Sequence, residues 1–231
     1  MGYSRKEELA KLRRARREAK AAKKRQESVR DRHVRFLIVC EGSKTEPYYF
    51  RSLVKNYESS VREETIKGEG RATVALVERA LSIKQSLELS NAMSFDRVWV
   101  VFDKDDFDDF NDAIKLASES GLLCAWTNEA FELWYCLHFE YLQSGIGRDD
   151  YIDKLNGYFR DKMQDPTFKY DKGNPQNYNL LRQYGSEDLA KRYAQKLREF
   201  YTDTNYDSHN PCTMVDLLVE ELEHPENLLK E

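Results

Sequence analysis

The sequence predicts an α/β fold: a doubly wound, mostly parallel sheet followed by a helical C-terminal half. Between His33 and Trp126, short β-branched and aromatic runs alternate with stretches whose apolar residues recur at helical spacing. The connections between them are short, as consecutive βαβ units require. Beyond Thr127 the strand signal fades while helical periodicity continues.

Val34–Cys40 (VRFLIVC) reads as a buried strand. Thr45 as N-cap and Pro47 in the first turn set a helix from about Glu46 to Tyr57. Ser60–Lys67 alternates as a second strand. After Gly68 and Gly70, Val74, Val77, Leu81 and Leu87 fall at helical spacing within Ala72–Leu89. Arg97–Phe102 is the third strand, Asp108–Glu119 the next helix with Gly121 ending it, and Leu122–Trp126 the fourth strand.

In the second half, Glu129–Phe139 (EAFELWYCLHF) predicts a buried helix, as do Asp150–Lys162, Ser186–Tyr201 and Thr213–Leu222. Thr213 with Asp216 resembles a capping box written with Asp. Asp165–Tyr184 carries Pro166, Gly173, Asn174 and Pro175 and reads as a loop. The expected organisation is a basic arm over 1–33, an α/β domain over 34–126, and a helical region over 127–231 packed on it.

The 231 residues are 40% hydrophobic and 12% aromatic, enough for a real core. No run approaches the ~18 apolar residues of a membrane helix, and the basic N-terminus lacks the apolar stretch of a secretory signal. The expectation is a cytoplasmic protein without membrane partners. The four cysteines are dispersed and the four histidines do not cluster, which supports neither a disulfide framework nor a zinc site.

Charge is segregated. Residues 1–35 carry 14 Lys+Arg against 5 Asp+Glu, leaving 23 basic and 36 acidic side chains for the rest. A basic arm on an acidic body can neutralise nucleic-acid phosphates, and it can equally fold onto its own acidic surface.

Chemistry concentrates where two predicted strands end. Glu41-Gly42 follows the first, and Asp103-Lys104-Asp105 follows the third. In open α/β sheets ligands bind beyond the carboxyl ends of the strands. A glutamate and two aspartates there form a hard oxygen donor set suited to Mg²⁺, with Mn²⁺ as substitute. A second metal becomes possible if Asp106, Asp108 or Glu46 joins, although Asp106, Asp108 and Asp109 have a ready structural role around a helix N-terminus. Lys44 and Thr45 precede a helix and could hold a phosphate at its positive end, although EGSKTE lacks the spacing of a P-loop. Phe131, Trp134 and His138 share a helical face, where His138 is more often a core residue. Glu132 on another face would need a buried partner. Tyrosines interleaved with basic residues such as Lys172 suit either stacking on single-stranded nucleic acid or interhelical packing.

The order strand-Glu-Gly, helix, strand, helix, strand-Asp-x-Asp, helix, strand resembles the Toprim domain. EGSKTEPYYF, VWVVFDKDDF, NEAFELWYCLHFE and NPCTMVDLLVEEL together resemble successive motifs of the RloB-like family, from about residue 34 to 222. One departure is visible: the family pattern carries a proline before FELW where this chain has Glu129. That bacterial family is associated with phage defence and restriction loci. The resemblance implies a Toprim-type Mg²⁺ nuclease acting on DNA or RNA beside a partner ATPase, and leaves homo-oligomerisation open. It implies that Glu41, Asp103 and Asp105 form the metal site, and it raises His138 to a substrate contact. On the residues themselves, Glu132 joins those three as a catalytic candidate, Glu41 either completes the metal shell or acts as general base, and Gly42, Lys44, Thr45 and Lys172 are the candidate phosphate contacts. The alternative is a non-catalytic regulatory subunit of an ATPase-containing defence complex. VVFDKDDF also resembles haloacid-dehalogenase-type phosphatases, but Phe107 stands where those carry a hydroxyl residue.

Overall fold

The computed structural model describes residues 33–59, 62–91, 94–104 and 108–230. The basic arm apart from His33 lies outside the described residues, as do Asp105, Asp106 and Phe107.

From Val34 onward the chain is one compact unit. Its first half runs β1 (Val34–Cys40), α1 (Thr45–Asn56), β2 (Arg62–Gly68), α2 (Thr73–Asn91), β3 (Arg97–Lys104), α3 (Phe110–Glu119) and β4 (Leu123–Asn128). Then follow α4 (Glu132–Cys136), α5 (Arg148–Met163), α6 (Asn177–Tyr184), α7 (Glu187–Arg198) and α8 (Val215–Glu223), with 3-10 turns at Tyr206–Ser208 and Pro225–Leu229. The four strands pair in parallel in the order β2-β1-β3-β4, so the predicted doubly wound sheet is observed.

Side-chain alternation divides the core between the two faces of the sheet. On one face Phe36, Ile38, Cys40, Trp99 and Val101 pack with Tyr49, Phe50 and Leu53 of α1 and with the C-terminal helices. On the other, Leu37, Val39, Val98, Val100 and Phe102 meet Leu76, Val77 and Ala80 of α2 and Phe110, Ala113 and Ala117 of α3. Each such aliphatic or phenylalanine side chain contributes roughly 1.5–3 kcal/mol on burial. Because both faces are covered, the central strands read as continuous apolar runs.

The C-terminal helices are fastened by buried polar groups. Arg198 on α7 grips Asp216 on α8 with two hydrogen bonds, 2.5 Å to Oδ1 and 2.7 Å to Oδ2. The buried Arg62 guanidinium donates to the carbonyls of Val54, Tyr57 and Leu222, tying the end of α1 to the end of α8.

Three local expectations are corrected. The Thr213–Asp216 capping box does not form: Asp216 is engaged by Arg198, and Thr213 Oγ1 lies 2.9 Å from Thr127 Oγ1. The helix expected over Glu129–Phe139 shrinks to the five residues of α4, because Glu129 adopts φ +70° and turns the chain before it. The loop expected over Asp165–Tyr184 contains α6: Asn174-Pro175 marks where this helix starts rather than continuous irregular chain.

Candidate functional site

The parallel register sets Cys40 beside Val101, so β1 and β3 end together. Glu41 N–H continues that pairing to Val101 O at 2.8 Å. The next turn brings the two acidic segments into contact: Asp103 N–H donates to Glu41 Oε2 at 3.1 Å. Asp103 Oδ2 in turn accepts from the Phe131 N–H at 3.0 Å, which anchors the start of α4 on the end of β3.

Gly42 permits the tight turn into α1. A Cβ there would stand 2.2 Å from Glu46 Oε2, so any side chain would collide with the carboxylate that the Gly42 N–H itself holds at 3.2 Å. Gly68, at the end of β2, supports the same turn from the side. A Cβ on it would lie 2.5 Å from the Gly42 carbonyl oxygen.

The FELWYC segment supplies the fourth wall. Phe131, Leu133, Trp134, Tyr135 and Cys136 are buried in the core, with Phe131 edge-on to Tyr49, Phe50 and Tyr135. Those rings fix the short helix so that Glu132, 4% exposed, lines a cavity of about 290 Å³ with Glu41, Glu46 and Asp103. Ser43, Lys44, Thr45, Arg148, Lys172 and Gly173 line the same cavity. The site is therefore four carboxylates from three chain segments, faced by three cations.

Its electrostatics follow from that crowding. Loss of hydration, then repulsion from Glu46, Glu132 and Glu41, pushes the Asp103 carboxyl well above the usual carboxylate range, against the opposing pull of the Phe131 amide. Glu46, 5% exposed, is raised chiefly by desolvation and further by Glu132, while backbone N–H groups and Lys172 pull it down. Hard oxygen donors whose protons are held by mutual repulsion are the donor chemistry that a divalent cation neutralises.

A family model for RloB-like proteins matches residues 36–222, most of the chain. The chain belongs to the RloB-like family. Neither the curated proteins nor the solved structures gave a match. In this RloB-like chain Glu129 has φ +70°, a conformation closed to proline.

Of the sequence-predicted residues, Glu41, Gly42, Lys44, Thr45, Asp103, Glu132 and Lys172 line the one cavity. Asp105 lies outside the described residues. His138 does not line it. The imidazole is buried, its Nδ1 2.9 Å from Trp134 O and its ring edge-on to Trp134, and desolvation lowers its pKa to about 4. It is a neutral core residue beside Gly185, where a Cβ would press on His138 Cβ at 2.8 Å. Thr45 is the first residue of α1 instead of its cap, and its hydroxyl donates to the Lys172 carbonyl at 3.0 Å.

The structure brings Glu46, a possible further ligand in the sequence, and Arg148 to the same cavity. In the sequence Glu46 looks like an ordinary acidic residue favouring a helix N-terminus. Its burial among other carboxylates shows only in three dimensions. Among the described residues, three acidic or histidine ligand atoms lie within 4.8 Å of one another at Glu220, Glu223 and His224. There Lys191 already bonds Glu220 and Glu223, so the position of a cation is taken by an ammonium.

Proposed function

We propose that this RloB-like protein is a divalent-cation-dependent nuclease hydrolysing phosphodiester bonds of DNA or RNA. The observation that carries the reading is the convergence of Glu41, Glu46, Asp103 and Glu132 on one cavity whose rim bears Lys44, Arg148 and Lys172. Glu41 and Asp103, with Asp105 following along the chain, would hold Mg²⁺ or Mn²⁺, and Glu46 or Glu132 would complete the set. Such a cation supplies Lewis-acid stabilisation to a phosphoryl group and eases deprotonation of water.

The chain's own residues do the rest. Lys44, Arg148 and Lys172 neutralise the scissile and flanking phosphates and position them against the carboxylates. With Glu132 completing the donor set, Glu46 on the same cavity accepts the proton of the attacking water. Desolvation inside the cavity strengthens each of these interactions over its value in open solvent.

A cytoplasmic role in phage defence beside an ATPase rests on family membership alone. Among the described residues no helix is long and apolar enough to cross a membrane. The test is cleavage of plasmid, single-stranded DNA and total RNA with Mg²⁺ or Mn²⁺, by wild type and by an Asp103→Ala/Asp105→Ala variant. Cleavage that vanishes in the variant supports the nuclease. Its absence in both proteins, with the ATPase and nucleotide also supplied, leaves a binding or regulatory subunit.

A further inference from the structure

The chain between α5 and α6 crosses the rim of the cavity as a strap fastened at several points. Arg160 Nε on α5 donates to Phe168 O at 2.8 Å, and Tyr170 N–H donates to Asn156 Oδ1 at 2.6 Å. Further along, the Thr45 hydroxyl holds Lys172 O. Asp171 turns the strap back, accepting from Gly173 N–H at 2.8 Å through Oδ1 and from Asn177 Nδ2 at 2.9 Å through its carbonyl. Lys172 thereby stays on the cavity rim. Between these anchors Tyr170 points inward, 8% exposed, its ring edge-on to Tyr135 and its hydroxyl donating to Glu132 Oε1 at 3.1 Å.

A carboxylate buried among aromatic rings needs a donor to remain in one orientation. From these contacts we infer that Tyr170 is the positioning residue of the site. Its phenol fixes Glu132 toward the cavity. The inference rests on the divalent-cation reading above. Hydrogen-bond partners of ligating carboxylates typically carry roughly 10–100-fold in metal affinity.

Titration of the full chain with Mn²⁺ alone, followed by calorimetry, tests it without relying on activity. Tyr170→Phe keeps the ring and removes the donor. The expected result is Mn²⁺ affinity weakened by roughly 10–100-fold, with no further loss when Tyr170→Phe is added to Glu132→Gln. Asn156→Ala loosens the strap backbone and spares the phenol, and it should leave affinity near wild type. Wild-type binding that Tyr170→Phe leaves unchanged overturns this inference alone. So does a Tyr170→Phe effect that persists in Glu132→Gln, or an equal loss in Asn156→Ala. Absence of Mn²⁺ binding by the wild type overturns the metal-site reading and this inference together. Mn²⁺ binding without cleavage removes only the nuclease.

Discussion

The backbone N–H of Asp103 donates to the Glu41 carboxylate at 3.1 Å, so the two strand ends are joined through one of the acidic groups itself. Burial first, then repulsion from Glu46 and Glu132, and least from Glu41, raises the Asp103 carboxyl at this junction. A site assembled against its own electrostatics is destabilising in the absence of a cation, and charge removal exposes that cost.

Asp103→Asn should therefore stabilise the metal-free protein while abolishing cleavage. The amide oxygen can still accept from Phe131 N–H, and the repulsion with Glu46, Glu132 and Glu41 is gone. Relief of about 1 kcal/mol corresponds to a rise of about 2–4 °C in Tm for a chain of this size. Thermal melts in chelator, run beside the cleavage assay, read both effects. A variant that melts lower than wild type and remains active contradicts the assignment.

Mg²⁺ should act as a stabilising ligand of the wild type. Saturation at 100 times Kd adds about 2.7 kcal/mol to the folded state, so Tm rises with Mg²⁺ and returns on chelation. Asp103→Asn should lose most of that increment. An identical Mg²⁺ shift in the two proteins would place the bound ion elsewhere.

Gly42→Ala should cripple the site without touching a charged residue. Its Cβ would sit 2.2 Å from Glu46 Oε2, so either Glu46 leaves its amide donor or the turn opens. Overpacking of this kind costs about 1–3 kcal/mol, and cleavage should fall with it. Melting curves and activity of Gly42→Ala and Gly70→Ala give the comparison. Both positions are glycine, but at Gly70, with φ +63°, nothing stands within 4 Å of the added Cβ. Gly70→Ala should lower Tm through backbone strain alone and leave cleavage near wild type.

The sheet was legible because β1 and β3 are apolar runs that stop at acidic residues, and their parallel order follows from the helices between them. Glu41 and Asp103 meet for that reason. The Glu132–Tyr170 bond was not legible: it joins residues 38 apart through a strap that looked like plain loop. Spacing put His138 beside Trp134 and favoured a core imidazole, which is what the fold holds, whereas the substrate contact came from the family resemblance and is not observed. Glu46 was legible only as a possible further ligand, because a first-turn acid is routine and its burial appears only in the fold.

A carboxyl pair outside the cavity lining, Glu187 and Glu223, ties stability to pH. Glu187 at the start of α7 accepts from the Tyr57 hydroxyl at 3.0 Å, and Glu223 at the end of α8 is held by Lys191. Glu187 Oε2 and Glu223 Oε1 are buried with no N–H or O–H donor, so a proton shared between the two carboxyls satisfies them. Desolvation and Glu223 raise Glu187 to about 8, whereas the hydrogen bond with Glu187, and after it Lys191, lower Glu223 against its own desolvation. A carboxyl whose folded pKa exceeds its unfolded value binds its proton more tightly when folded. Its contribution to stability is complete below the ordinary pKa near 4.5 and is lost as pH rises toward about 8. Glu223 works in the opposite sense, and its contribution is lost only as pH falls below that ordinary range. Tyr57, Tyr178, Arg182 and Lys191 also face the pair; their pKa values are raised, so through neutral pH the phenols stay neutral and the cations charged. Between pH 6 and 9 the pair should therefore weaken the fold as Glu187 ionises. Glu187→Gln places a permanent donor opposite Glu223 and should flatten that decline. Its Tm, close to wild type at pH 6, should exceed it by about 2–4 °C at pH 9 for each kcal/mol relieved. Parallel melting profiles across this range would mean that no proton is shared, and that the two carboxylates are both ionised at neutral pH.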